Sequence, residues 1–169
     1  MIGRATTSAL LLAATCVQAA AADPAPAIPM APALAAVDPA TGAPVVLDPS
    51  HGPMLLAFLA TWCRPCLADV PKLADLEERW KPDGFRMVLV AVATRQTPER
   101  LRELIAQEPL PGRLLFDANG AVAGAANVST LPAYVLVDRH GRMVARSGVL
   151  DPAFAQAVER LVRQEGHAP

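Results

Sequence analysis

Continuous apolar runs of strand length alternate along this chain with stretches whose apolar residues return every three or four positions. Residues 54–60 (MLLAFLA) and 85–93 (FRMVLVAVA) are nearly unbroken apolar runs, the pattern of strands covered on both faces. Residues 133–138 (AYVLVD) read as a further strand, RHG turns it, and residues 143–147 return as an antiparallel partner. A short strand at 44–48 (PVVLD), closed by a turn at PSHG, precedes them as an N-terminal extension. After the first long run, Leu67, Val70, Leu73, Leu76 and Trp80 recur at helical spacing, which predicts a helix over 63–80. Pro71 lies inside it and removes one backbone hydrogen bond, so a kink is expected there. Thr97, Pro98 and Glu99 have the character of a helix start, with the helix reaching about Gln107. Asp151 and Pro152 open a last helix that runs to about Gln164. Residues 114–117 are too short to assign, and 121–126 suit one or two helical turns.

The order is strand, helix, strand, helix, strand hairpin, helix. Helices that link the first strands favour parallel neighbours, and the hairpin adds antiparallel pairing. The expected fold class is therefore α/β, a mixed central sheet with helices on both faces.

The hydrophobic fraction of 53% is more than one soluble domain of 169 residues requires, and the excess sits at the front. Arg4, the apolar run 9–17 and the small residues of VQAAAAD have the layout of an export leader over residues 1–22. Asp23 and the prolines behind it end the apolar run short of the roughly 20 residues a spanning helix needs. A membrane tether is expected only if the leader is retained, and the residues before Cys16 match a lipoprotein signal poorly. Residues 23–42, rich in alanine and proline, read as an extended linker, with the domain proper over 43–166. The expected location is periplasmic. The formal net charge of −1, without a basic stripe or an acidic tract, gives no footprint for nucleic acid.

Losing the leader leaves two of the three cysteines, Cys63 and Cys66, in FLATWCRPCLADVP. A zinc site needs four ligands, and His51, His140 and His167 are scattered without ligand spacing, so no metal is expected. A redox couple has a mechanism. Cys63 falls at a helix start, where unpaired backbone N–H groups favour a thiolate, and is the expected nucleophile. Cys66, one turn in and expected to be more buried, is placed to resolve a mixed disulfide. Pro65 suits an early helical position, and the charge of Arg64 favours the thiolate. Asp69, three residues beyond Cys66, reads equally as a carboxylate that assists the buried thiol and as a solvated helix residue.

FLATWCRPC after a buried strand, LADVP behind it and STLPAYVLVD some seventy residues on together resemble the thioredoxin fold, and specifically the TlpA-like exported thiol-disulfide oxidoreductases. The resemblance covers about residues 47–149. It implies a thioredoxin-like fold with a cis bond between Leu131 and Pro132, and an exposed backbone edge at Leu131 for an extended substrate segment. The candidate catalytic residues are Cys63, Cys66, Asp69 and Pro132, with Trp62, Arg64, Pro65 and Leu131 contacting substrate. The group commonly has glutamate where this chain has Asp69, and Ala57 stands where cytoplasmic thioredoxins keep a buried aspartate. The implied activity is reduction of protein disulfides, with apocytochrome c or copper-site cysteines as substrates and a membrane donor of thiol-disulfide type. No bound cofactor is required. The alternatives are a disulfide oxidant or isomerase, and a copper-delivery protein, for which Met54, Met87 and Met143 show no clustered spacing.

Overall fold

A computed structural model describes residues 35–166. The expected leader over 1–22 and the linker as far as residue 34 lie outside these residues. Among the described residues no helix is long and apolar enough to cross a membrane.

Three strands with unbroken or nearly unbroken apolar sequence form the centre of the sheet. They are β3 (Met54–Leu59), β4 (Arg86–Val92) and β6 (Ala133–Val137). Every residue of β3 and β6 is buried, as expected for strands covered on both faces. β3 runs parallel to β4 and antiparallel to β6, and β4 runs parallel to β5 (Arg113–Asp117). β7 (Met143–Ser147) pairs antiparallel with β6, and on the far edge β1 (Ala35–Val37) and β2 (Pro44–Val46) form an antiparallel pair. The order across the sheet is β2-β1-β5-β4-β3-β6-β7.

The sheet begins earlier than the composition suggests. Linker is expected over residues 35–37, yet they form β1, with Val37 opposite Phe116 on β5. The strand is held by long-range partners, not by its own sequence. Asp38 turns the chain by accepting from the N–H groups of Ala40 and Thr41, and its carboxylate lies 3.3 Å from the Arg113 guanidinium at the start of β5. Residues 114–117, too short to assign from sequence, are the buried part of β5. β5 enters beside β4 through Gly112, where φ is +65° and a Cβ would stand 2.2 Å from the Met87 carbonyl oxygen.

Both faces of the sheet are covered. Alternate residues of the central strands, Leu55, Ala57 and Leu59 on β3 with Leu89 on β4 and Leu136 on β6, share one core with α2 (Val70–Trp80), α3 (Pro98–Gln107) and α5 (Pro152–Glu165). The intervening residues, Leu56, Phe58, Val90 and Val135, pack on the other face with α4 (Ala121–Ala125). Asp117, fully buried at the end of β5, accepts from the N–H groups of Val122 and Ala123 and so fixes the start of α4. Asp151 caps α5 by accepting from Phe154 N–H at 2.8 Å. Thr97 holds the N-cap position of α3, but its side chain makes no capping hydrogen bond.

One helix departs from expectation. The stretch 63–80 is two helices, α1 (Arg64–Ala68) and α2, separated at Asp69. Pro71 has no N–H to offer the Leu67 carbonyl, and its ring crowds that carbonyl, so the chain ends one helix at Asp69 and starts another instead of bending a single one. The Asp69 N–H closes α1 on the carbonyls of Cys66 and Leu67.

Candidate active site

β3 ends at Leu59, and a tight turn delivers Cys63 to the N-cap of α1. Cys63 N–H donates to the Ala60 carbonyl at 2.9 Å, which closes the turn over Thr61 and Trp62. A disulfide joins Cys63 to Cys66, with their Cα atoms 5.3 Å apart. The Cys66 N–H points at the Cys63 sulfur, 3.3 Å away. A backbone donor so placed stabilises a thiolate at Cys63 once the bond is reduced. The expected contrast in burial is absent, because Cys63 and Cys66 are 4% and 3% exposed. What separates them is backbone position, Cys63 ahead of the helix and Cys66 inside its first turn. Arg64 and Pro65 are exposed on the outer side of that turn.

Trp62 is 40% exposed, yet its ring is fixed. Its indole N–H donates to the Thr94 carbonyl at 2.7 Å, and the Arg95 guanidinium lies 4.6 Å above the ring. The preceding residue is anchored too, since Thr61 N–H donates to the Gln96 side-chain carbonyl at 2.8 Å. Gln96 is buried, and its amide NH₂ donates in turn to the Val92 carbonyl at the end of β4. The loop 94–96 therefore holds the turn that presents the disulfide. None of its three residues is singled out by the sequence. A polar triplet after a buried strand reads as ordinary loop, and Arg95 adopts a left-handed φ of 54° that its residue type does not advertise.

The peptide bond between Leu131 and Pro132 is cis, as the resemblance implies. Both residues are half-buried at the entry to β6. Gly148, beyond β7, would carry a Cβ 3.7 Å from the Pro132 carbonyl oxygen, so the loop before α5 flanks the proline. On the other side a groove of about 710 Å³ opens between Trp62, Thr94, Asn119, Val128 and Leu131. Its lining mixes apolar and polar side chains, and Trp62, the residue before Cys63, forms part of its wall.

Asp69 is neither directed at solvent nor free. Its Oδ2 accepts from the Tyr134 hydroxyl at 2.7 Å and its Oδ1 from the Lys72 ammonium at 2.6 Å. Burial acts to raise the Asp69 carboxyl, but the Lys72 and Tyr134 hydrogen bonds and the Lys72 charge outweigh it, and the group lies below the usual carboxylate range. Burial, and then the hydrogen bond to Asp69 and its charge, push the Tyr134 phenol well above its ordinary value, so it remains a donor. Tyr134 is not among the residues that the sequence points to for the site. The signal available is slight: it is the chain's single tyrosine, two positions after Pro132 in an otherwise apolar strand.

A close, buried cysteine pair with a backbone donor on the first sulfur can exchange its disulfide with another without further groups. The sequence model of the family described as Redoxin matches residues 20–161. The thiol-disulfide oxidoreductase ResA of Bacillus anthracis is 26% identical over 91 residues, which cover 54% of this chain and 51% of that protein. The protein of the same description from Geobacillus kaustophilus is 29% identical over 91 residues, 53% of this chain and 51% of that one. The chain thus spans about half the length of these curated relatives. Among solved structures, the thioredoxin domain of thiol-disulfide oxidoreductase BVU-2223 from Bacteroides vulgatus matches with a TM-score of 0.66 at 22% identity, covering 82% of this chain and 95% of that one. A secreted Mycobacterium tuberculosis disulfide oxidoreductase homologous to E. coli DsbE matches with a TM-score of 0.62 at 22% identity, covering 77% and 97%. These two likenesses show a thioredoxin-like fold.

Proposed function

Because the chain belongs to the Redoxin family and carries its cysteine pair at the start of a helix, we propose that it is an exported thiol-disulfide oxidoreductase of TlpA-like type. It exchanges the Cys63–Cys66 disulfide with cysteine pairs of protein substrates, in the reducing direction. The observation that carries the reading is the disulfide itself, whose first sulfur faces the Cys66 N–H at the N-cap of α1. In the reduced protein the Cys63 thiolate attacks one sulfur of a substrate disulfide. A Cys63–substrate bond forms and the other substrate sulfur leaves as a thiolate. Cys66 then loses its proton and attacks Cys63, releasing the second substrate sulfur and restoring the disulfide. Two electrons pass from the enzyme dithiol to the substrate.

The groove beside Trp62 and Leu131 supports binding of an extended segment, and the cis-proline loop supplies its edge. Leu131, Trp62, Arg64 and Pro65 are the residues assigned to that contact, and Pro132 is assigned to the catalytic set with Cys63, Cys66 and Asp69. Export rests on the leader-like residues 1–22, and the TlpA-like resemblance supports apocytochrome c or copper-site cysteines as substrates, with electrons from a thiol-disulfide donor in the membrane. Such a donor is needed because an exported reductase meets no reducing thiol pool.

Equilibration of the cysteine pair against glutathione tests the direction. A reductase is expected to lie nearer the roughly −270 mV of thioredoxin than the roughly −120 mV of DsbA. A potential close to that of DsbA would make the protein an oxidant.

A further inference from the structure

Tyr134 carries a buried polar group that the exchange mechanism above leaves unused. It is 1% exposed and belongs to the same core as Cys63 and Cys66. On β6 it stands directly opposite Ala57 of β3, whose methyl group leaves the space a large ring requires. The ring packs against Phe154 of α5, with centroids 6.1 Å apart, and the hydroxyl ends on Asp69 Oδ2. Asp69 is the residue at which α1 stops, and its N–H is bonded to the Cys66 carbonyl at 3.2 Å. A single hydrogen bond therefore ties the strand that follows Pro132 to the end of the helix that Cys63 caps and Cys66 enters.

We propose that Tyr134 is a positioning residue for the resolving half of the exchange: its hydroxyl holds the Asp69 carboxylate fixed one turn behind Cys66, ready to take the Cys66 proton. This rests on the exchange reading given above. In the step concerned, the Cys66 proton passes to Asp69 and the Cys66 sulfur bonds to Cys63. The bond from Cys63 to the substrate sulfur breaks, and that sulfur leaves with the electron pair and takes the proton back from Asp69. The polar groups that meet the carboxylate are Lys72 from α2 and Tyr134 from β6, and from α5 the uncharged Phe154 packs on the Tyr134 ring. Lys72 is exposed and reachable by solvent, whereas the Tyr134 contact is internal. Loss of the internal donor is the change that matters more, since a hydrogen bond to a charged group is worth most away from water.

The test uses the reduced full chain and 5,5′-dithiobis(2-nitrobenzoate) as the probe disulfide. Attack by Cys63 releases one coloured thionitrobenzoate, and attack by Cys66 on the resulting adduct releases a second, so the two halves of the reaction are timed separately. Tyr134→Phe keeps the ring and removes only the hydroxyl. The acidic limb of the second release is expected to move up by about one pH unit, a tenfold change in the Asp69 protonation constant. The pH profile of the first release is expected to stay where it is. Asp69→Asn is expected to slow the second release and remove that limb. Profiles for Tyr134→Phe that superimpose on the wild type in both phases would overturn the proposal, as would an equal shift in both. A wild-type protein that releases only one thionitrobenzoate would instead sink the exchange reading. The Asp69 carboxyl carbon, followed by NMR through the same pH range, then decides the Tyr134 contact alone: an upward shift in Tyr134→Phe supports it and an unchanged titration refutes it.

Discussion

Replacing Cys66 with serine is expected to stop the protein halfway, with a substrate covalently attached to Cys63. The first attack needs only the Cys63 thiolate, and the groups that favour it remain in the variant: the backbone N–H of residue 66 and the turn closed on Ala60. The second attack needs a sulfur at position 66. Turnover of a protein disulfide should fall at least about a thousandfold, the scale on which loss of a residue that makes and breaks bonds acts. A mixed disulfide should accumulate, visible as a reductant-sensitive band on a non-reducing gel. Cys63→Ser should lose turnover to the same extent and form no adduct. An adduct in Cys63→Ser and none in Cys66→Ser would exchange the two roles. Recovering the adduct from cells and identifying what is attached to Cys63 would also name the substrate.

Leu89→Ala is expected to cost about 2–5 kcal/mol of folding stability, a substantial share of the roughly 5–15 kcal/mol that holds a domain together. Leu89 has no exposed surface, stands in register between Ala57 of β3 and Leu114 of β5, and lies in the core under α2 and α5. The parallel strands on either side fix its backbone, so the space left by the side chain cannot close by local collapse. Urea unfolding followed by tryptophan fluorescence should show the midpoint falling with little change in slope. Trp80 packs against the same core and Trp62 beside the disulfide, so the two indoles report on the face concerned. A midpoint unchanged from wild type would mean that the core does not run through this position.

The parts of the fold that are legible in the sequence are those whose cause is local. Residues 54–60, 85–93 and 133–138 look buried because they are apolar on both sides, and Asp151 with Pro152 starts a helix because of what those two residues do to their own backbone. β1 is hidden because Ala35–Val37 has no strand pattern of its own and is recruited by Phe116 and residues 44–46, which lie further along the chain. The division of the cysteine helix depends on whether Pro71 bends or breaks it, and the break falls two residues earlier, at the last position where the chain can leave the Leu67 carbonyl.

The site divides in the same way. Cys63, Cys66, Trp62 and Pro132 sit in short motifs that can be read in one pass. Asp69 is visible by its spacing from Cys66, but its chemical state is not, because that is set in part by a tyrosine 65 residues further on. Ala57 stands out in the sequence for the carboxylate it lacks. What its small side chain does in this protein, making room for Tyr134, requires the register of β3 with β6. Gln96 and Thr94 hold the turn from a loop that follows β4, and nothing in their identities points back to Trp62.

The account depends on a cysteine at position 63 that ionises readily ahead of a partner that does not. Alkylation of the fully reduced protein with iodoacetamide across a pH series, with each cysteine quantified by peptide mass, measures this directly. Cys63 is expected to be labelled first, with a midpoint below the roughly 8.5 of a free cysteine and below that of Cys66. Labelling of Cys63 with a midpoint at or above about 8.5, and of Cys66 before it, would contradict the account.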